Sequence, residues 1–83
     1  MITPEWLKIR DGELRRGLND DTWLVCLNGH PQYRLFVTTA QGKLACDVTQ
    51  TVNGKLLDAS ANYLTRDESL SGGLEQLRKK LGW

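Results

Sequence analysis

An Asn-Gly pair set between two runs of alternating apolar and polar residues constrains this chain more than anything else in it. Residues 44–64 read as a long β-hairpin turning on Asn53-Gly54, because a two-residue type I′ turn needs positive φ at both central positions. With Val52 opposite Lys55, Gln50 faces Leu57, Val48 faces Ala59, Cys46 faces Ala61 and Leu44 faces Tyr63. One face then collects Leu44, Cys46, Val48, Val52, Leu57, Ala59, Ala61 and Tyr63. The other collects Ala45, Asp47, Thr49, Thr51, Leu56, Asp58, Ser60 and Asn62. The first face is a core and the second faces water.

Two further strands precede the hairpin. Residues 22–27 alternate with Trp23, Val25 and Leu27 on one side and Leu24 and Cys26 on the other, a pattern expected of a strand buried on both faces. Asn28-Gly29-His30-Pro31 supplies a turn, and residues 32–39 follow as a strand with Tyr33, Leu35 and Val37 opposed to Arg34, Phe36 and Thr38. Ala40-Gln41-Gly42 turns the chain into the hairpin, so that four strands are joined by short loops as a meander.

The ends of the chain read as helix. Thr3, Pro4 and Glu5 suit a helix cap, first position and first turn. Asp11-Gly12 stops that helix within residues 4–10, too short to hold without docking through Trp6, Leu7 and Ile9. Residues 13–18 allow two readings: Leu14 and Leu18 suit a helical turn, and an irregular or edge strand fits as well. Thr65 and Glu68 have the spacing of a capping box. Leu70, Leu74, Leu77 and Leu81 form one helical stripe that ends in Arg78-Lys79-Lys80 and Gly82. Gly72-Gly73 inside that helix costs about 1 kcal/mol per glycine relative to alanine, which close approach of Gly73 to the sheet would offset. A terminal Trp83 is expected to tuck against the edge of the core.

The fold class that follows is α+β. It is an antiparallel meander of three to four strands with a C-terminal helix on one face and a short N-terminal helical segment, in one domain over residues 1–83. Charge adds little direction, since 11 basic residues against 10 acidic give a formal net charge of +1, with no global bias toward nucleic acid or an anionic membrane. The chain has no apolar run of transmembrane length and no basic-then-apolar leader at its start, so the expected address is the cytoplasm.

Chemistry is sparsely represented. Cys26 and Cys46 lack CxxC spacing and His30 is the only histidine, so no metal site and no cofactor are expected, and both thiols read as small buried hydrophobes. His30 reads as a turn residue. Asp47 and Asp58 could form a carboxylate pair on the polar face of the hairpin, with solvated strand charges the simpler reading. The Gly-Gly pair lies inside a helix and cannot cradle phosphate. No enzyme is expected.

The sheet face left uncovered by the C-terminal helix is more informative. Alternation gives it Leu24, Cys26, Arg34, Phe36, Thr38, Ala45, Thr49 and Leu56, too apolar a mixture to stand wholly in water. One cover is the N-terminal segment through Trp6, Leu7, Ile9, Leu14 and Leu18. The functional occupant is a protein partner or a second copy docking on Phe36 and Leu56. The expected role is therefore a non-catalytic binding or protein-interaction module that takes either a protein partner or a second copy of itself on a candidate face of Arg34, Phe36, Thr38, Thr49 and Leu56. The alternative is sheet-face binding of nucleic acid, with Phe36 for stacking, Arg34 for phosphate, and Arg15, Arg16, Arg78, Lys79 and Lys80 as a basic rim. A solvated helix end explains the last three. In architecture, a meander followed by a C-terminal helix resembles the small DNA-reading domains of some phage integrases and, more loosely, double-stranded RNA-binding domains. No residue motif of either is matched, so the resemblance carries no function to this chain.

Overall fold

The computed structural model describes residues 2–83, and their side chains except those of residues 40, 60 and 61. The order of elements is α1 (Glu5–Lys8), β1 (Gly12–Arg16), β2 (Thr22–Leu27), β3 (His30–Ala40), β4 (Lys43–Gln50), β5 (Leu56–Tyr63) and α2 (Arg66–Leu81). Among the described residues the strands make one antiparallel sheet in the order β1-β2-β3-β4-β5, each paired with its neighbour in sequence. The meander and its C-terminal helix match expectation. Residues 13–18, which the sequence leaves between two readings, supply an edge strand over Gly12–Arg16 that raises the count to five, while Leu18 beyond it is fully exposed.

The central hairpin does not turn as expected. Among the described residues positive φ at non-glycine positions occurs at Asp11, Asn28 and Gln41, and Asn53 is not one of them. The loop instead spans residues 51–54. Gly54 N–H donates to Gln50 C=O at 2.8 Å, Gln50 N–H donates to Lys55 C=O at 2.9 Å, and Gly54 alone takes the left-handed conformation, at φ 68°. Asn53 Oδ1 accepts from Lys55 N–H at 2.9 Å. Paired type I′ geometry occurs at Asn28-Gly29, between Leu27 and His30, and at Gln41-Gly42, between Ala40 and Lys43.

This longer loop changes the register. Leu44 still faces Tyr63, but Cys46 pairs with Ser60, Asp47 with Ala59, Val48 with Asp58 and Thr49 with Leu56, with irregularities at Leu44/Ala45 and Val48/Thr49. A slip of one residue exchanges faces. Ala59 is accordingly exposed and Val52 is 86% exposed in the loop, so neither belongs to the core face where alternation placed it. The faces expected for Ser60 and Ala61 lie outside the described side chains.

α2 packs on the sheet through Leu70, Leu74 and Leu77 against Val25, Leu35, Val37, Cys46 and Val48, with Leu81 at its margin. Its ends follow local rules. Thr65 Oγ1 accepts from Glu68 N–H at 3.1 Å, and Gly82 at φ 72° lets Trp83 N–H donate to Arg78 C=O. The second half of the capping box is displaced: the Glu68 carboxylate lies 3.5 Å from the N–H of Leu64 rather than reaching Thr65. Buried Ser69 donates from Oγ to the Ala45 carbonyl at 2.9 Å, tying the helix to β4.

The N-terminal segment lies on the same side of the sheet as α2. Leu7 is fully buried in the core that α2 closes, and Trp6 stacks near Trp83 with ring centroids 6.3 Å apart. Thr3 does not cap α1, because Pro4 stands at that position; Thr3 Oγ1 instead accepts from Leu14 N–H at 3.1 Å. Ile9, expected to dock, is 70% exposed. The N-terminal segment therefore does not cover the second sheet face, contrary to the simpler expectation.

Candidate interaction face

The face turned away from α2 is built by one row of cross-strand neighbours that runs through all five strands. Arg15 pairs with Leu24, Leu24 with Arg34, Arg34 with Thr49 and Thr49 with Leu56. A second row sets Thr22 beside Phe36, Phe36 beside Asp47 and Asp47 beside Ala59, and a third sets Thr38 beside Ala45. Directly opposed residues share a face, so Arg34, Phe36, Thr38, Thr49 and Leu56 all come together. Leu56 is 54% exposed, Arg34 is exposed, and Leu24, Phe36 and Thr49 are half-buried. The Arg34 guanidinium carbon stands 5.6 Å from the centroid of the Phe36 ring, within cation–π range. Arg34, Thr49, Gln50, Thr51 and Gly54 line a shallow concavity of about 310 Å³ at one end of the face.

Charge on this face is mixed. Arg15 is ion-paired to Glu13 at 2.6 Å. Cys26 is opposite Glu13 on the neighbouring strand, and burial pushes its thiol up against the opposing pull of the Arg15 guanidinium. Among the described residues neither Arg34 nor Asp47 has an ion-pair partner.

The proposed basic rim is not one surface. Arg16 is opposite Trp23, in register with the core face, and pairs with Asp20 at 2.7 Å. Arg78, Lys79 and Lys80 end α2 on the far side, where Arg78 contacts Glu75 at 3.4 Å and lies over the Trp6 ring. Only Arg15 shares the face of Arg34.

The carboxylate pair does not form. Asp47 sits opposite Phe36, whereas the slipped register sets Asp58 opposite Val48, a core-face position. His30 opens β3, exposed, opposite Leu27. Both cysteines are buried and unbridged, Cys46 on the core side and Cys26 on the open face. Among the described residues no group of three or more His, Cys, Asp or Glu side chains gathers as metal ligands would, and no helix is long and apolar enough to cross a membrane.

One feature of the helical side had no signal in the sequence. Ile2, Pro4, Trp6, Asp67, Ser71, Leu74 and Glu75 line an open groove of about 600 Å³ between the N-terminal segment and α2. It exists because Trp6 and Leu7 fold back on a helix some 60 residues later, a juxtaposition that local patterning does not encode. No protein family, characterised protein or solved structure matches this chain.

Proposed function

We propose that this protein is a non-catalytic protein-interaction module that binds through the open face of its sheet. The observation that carries this reading is the placement of both helices on the opposite side, which leaves Leu24, Arg34, Phe36, Thr49 and Leu56 as one continuous surface. An aromatic and an arginine at the centre of an apolar, partly polar patch is the composition that protein interfaces favour. Asp47 in the same patch, and Glu13 neutralising Arg15, disfavour a phosphate backbone.

The test separates a binding surface from a structural one. In dilute, monomeric protein Leu56→Lys is expected to change unfolding free energy by less than about 0.5 kcal/mol, as for ordinary surface positions. A loss of about 2–5 kcal/mol, typical of core truncation, would make the face part of the core and defeat the reading. NMR titration with short single-stranded DNA and RNA is the second arm. Salt-sensitive shifts at Arg34 and Phe36 would put nucleic-acid binding in its place.

A further inference from the structure

We infer that the occupant of the open face is a second copy of this chain, related by a two-fold axis that runs through Phe36 and Thr49. This rests on the interaction reading above and names its partner. Arg34, Thr49, Asp47 and Phe36 are the four corners of one cell of the sheet: Arg34 is opposite Thr49, and Phe36 is opposite Asp47, on adjacent strands β3 and β4. Strand and residue spacings set the diagonals of such a cell at about 8 Å. The two charges, neither ion-paired among the described residues, occupy one diagonal, and the aromatic and the hydroxyl occupy the other.

A two-fold axis lying along the Phe36–Thr49 diagonal, in the plane between two facing sheets, turns the second copy over onto the first. It carries the second copy's Asp47 to Arg34 and its Arg34 to Asp47. Phe36 and Thr49, lying near the axis, meet their own equivalents. An isologous interface requires this self-complementarity, in which residue i meets j and j meets i. Strands of the two sheets then cross steeply, which is the orthogonal class of sheet packing. Leu24 and Leu56 flank the cell along the row through Arg34 and Thr49, and supply the apolar area that shields the charge pairs.

Charge reversal tests the geometry. Arg34→Asp alone sets Asp against Asp47 twice across the axis, and Asp47→Arg alone sets Arg against Arg34 twice. Each is expected to weaken self-association in sedimentation equilibrium by about 100-fold or more. An equimolar mixture of the two variants restores opposite charges at both contacts, and is expected to associate within about tenfold of the unmodified protein. Amide spectra of each variant check that the fold is kept. In the unmodified protein, mixed isotopically labelled and unlabelled copies are expected to show an intermolecular Overhauser effect between Phe36 rings. A monomer up to millimolar concentration, a dimer without that Phe36 contact, or folded variants that fail to associate on mixing would each overturn the two-fold arrangement. Those outcomes leave the interaction reading intact. That reading falls instead to a Leu56→Lys variant destabilised as a dilute monomer or to salt-sensitive nucleic-acid shifts.

Discussion

Gly73 of α2 lies directly against Cys46 of β4: a β-carbon at Gly73 would overlap the Cys46 sulfur and stand 2.9 Å from its Cβ. The neighbouring Gly72 is filled in the same way by the ring of Tyr63. The two glycines are therefore the seat of the helix on the sheet, and their unfavourable helix propensity is offset by contact that no larger residue allows.

Gly73→Ala is expected to destabilise the protein by about 1–3 kcal/mol, since overpacking a fixed core outweighs the roughly 1 kcal/mol that alanine gains in a helix. Removing the sulfur with Cys46→Ala should recover part of that loss, so a double-mutant cycle in urea should show coupling between the positions. Additive losses, or a Gly73→Ala variant as stable as the parent, would mean that helix and sheet can separate at no cost.

The same contact controls the chemistry of Cys46. Burial raises its thiol from an ordinary value of 9.0 to about 11, with Asp47 and Asp58 adding to the effect and a backbone hydrogen bond from Phe36 opposing it. Unfolding exposes a thiol that ionises near the ordinary value, so between about pH 9 and 11 the folded state holds the proton more tightly than the unfolded one. This contribution is complete below pH 9 and is lost as pH rises through the window. Stability of the parent protein should therefore fall more steeply across that range than stability of a Cys46→Ala variant. Parallel pH profiles would show that Cys46 is not buried as a thiol.

The parts of this architecture that were legible in the sequence are those with local causes. Thr65, the leucine stripe and Gly82 define α2 within its own span, and alternation along β3 places Arg34, Phe36 and Thr38 on one face. What was not legible depends on comparisons between distant segments. Asn28-Gly29 and Asn53-Gly54 carry the same dipeptide, but one closes a two-residue type I′ turn and the other ends a four-residue loop. That choice, with the irregularity at Val48/Thr49, moved Asp58 to the core-face register, so the carboxylate pair that alternation allowed with Asp47 has no shared face. The side taken by α1 was likewise decided by Trp6 meeting Trp83 from the other end of the chain. The open face survived the slip because its centre rests on β3 and β4, whose pairing over Tyr33 to Ala40 is continuous.

Gln41 should be improvable. It holds φ 52° at the first position of the turn between Ala40 and Lys43, where a residue with a full side chain is strained by about 1–2 kcal/mol. Asparagine at this position would reproduce the dipeptide already used at Asn28-Gly29 and fits the left-handed region better. Gln41→Asn is expected to raise unfolding free energy by about 0.5–1 kcal/mol in urea denaturation. Gly42→Ala, at φ 78° with open space around it, should lower it for conformational reasons alone. A neutral Gln41→Asn would mean that the turn relaxes around glutamine.

The chain ends are tied by four side chains in series. Arg10 lies 4.8 Å from the Trp83 ring, Trp83 lies 6.3 Å from Trp6, and Arg78 lies 5.8 Å from Trp6. Arg10 also donates to the Trp6 carbonyl at 2.8 Å. Aromatic pairing contributes about 0.5–1.5 kcal/mol and an exposed cation–π contact about 0.5–1 kcal/mol, so Trp83→Ala is expected to cost about 1–3 kcal/mol even though only the last residue changes. Lys79→Ala, at an exposed position one turn earlier, should stay within about 0.5 kcal/mol. Loss of near-ultraviolet circular dichroism in Trp83→Ala should accompany the destabilisation, because the tilted Trp6–Trp83 pair holds both rings in a fixed chiral arrangement. If the dichroism and the unfolding midpoint are both unchanged, the terminal tryptophan is not what holds α1 beside α2, and Leu7 alone must anchor the N-terminal segment.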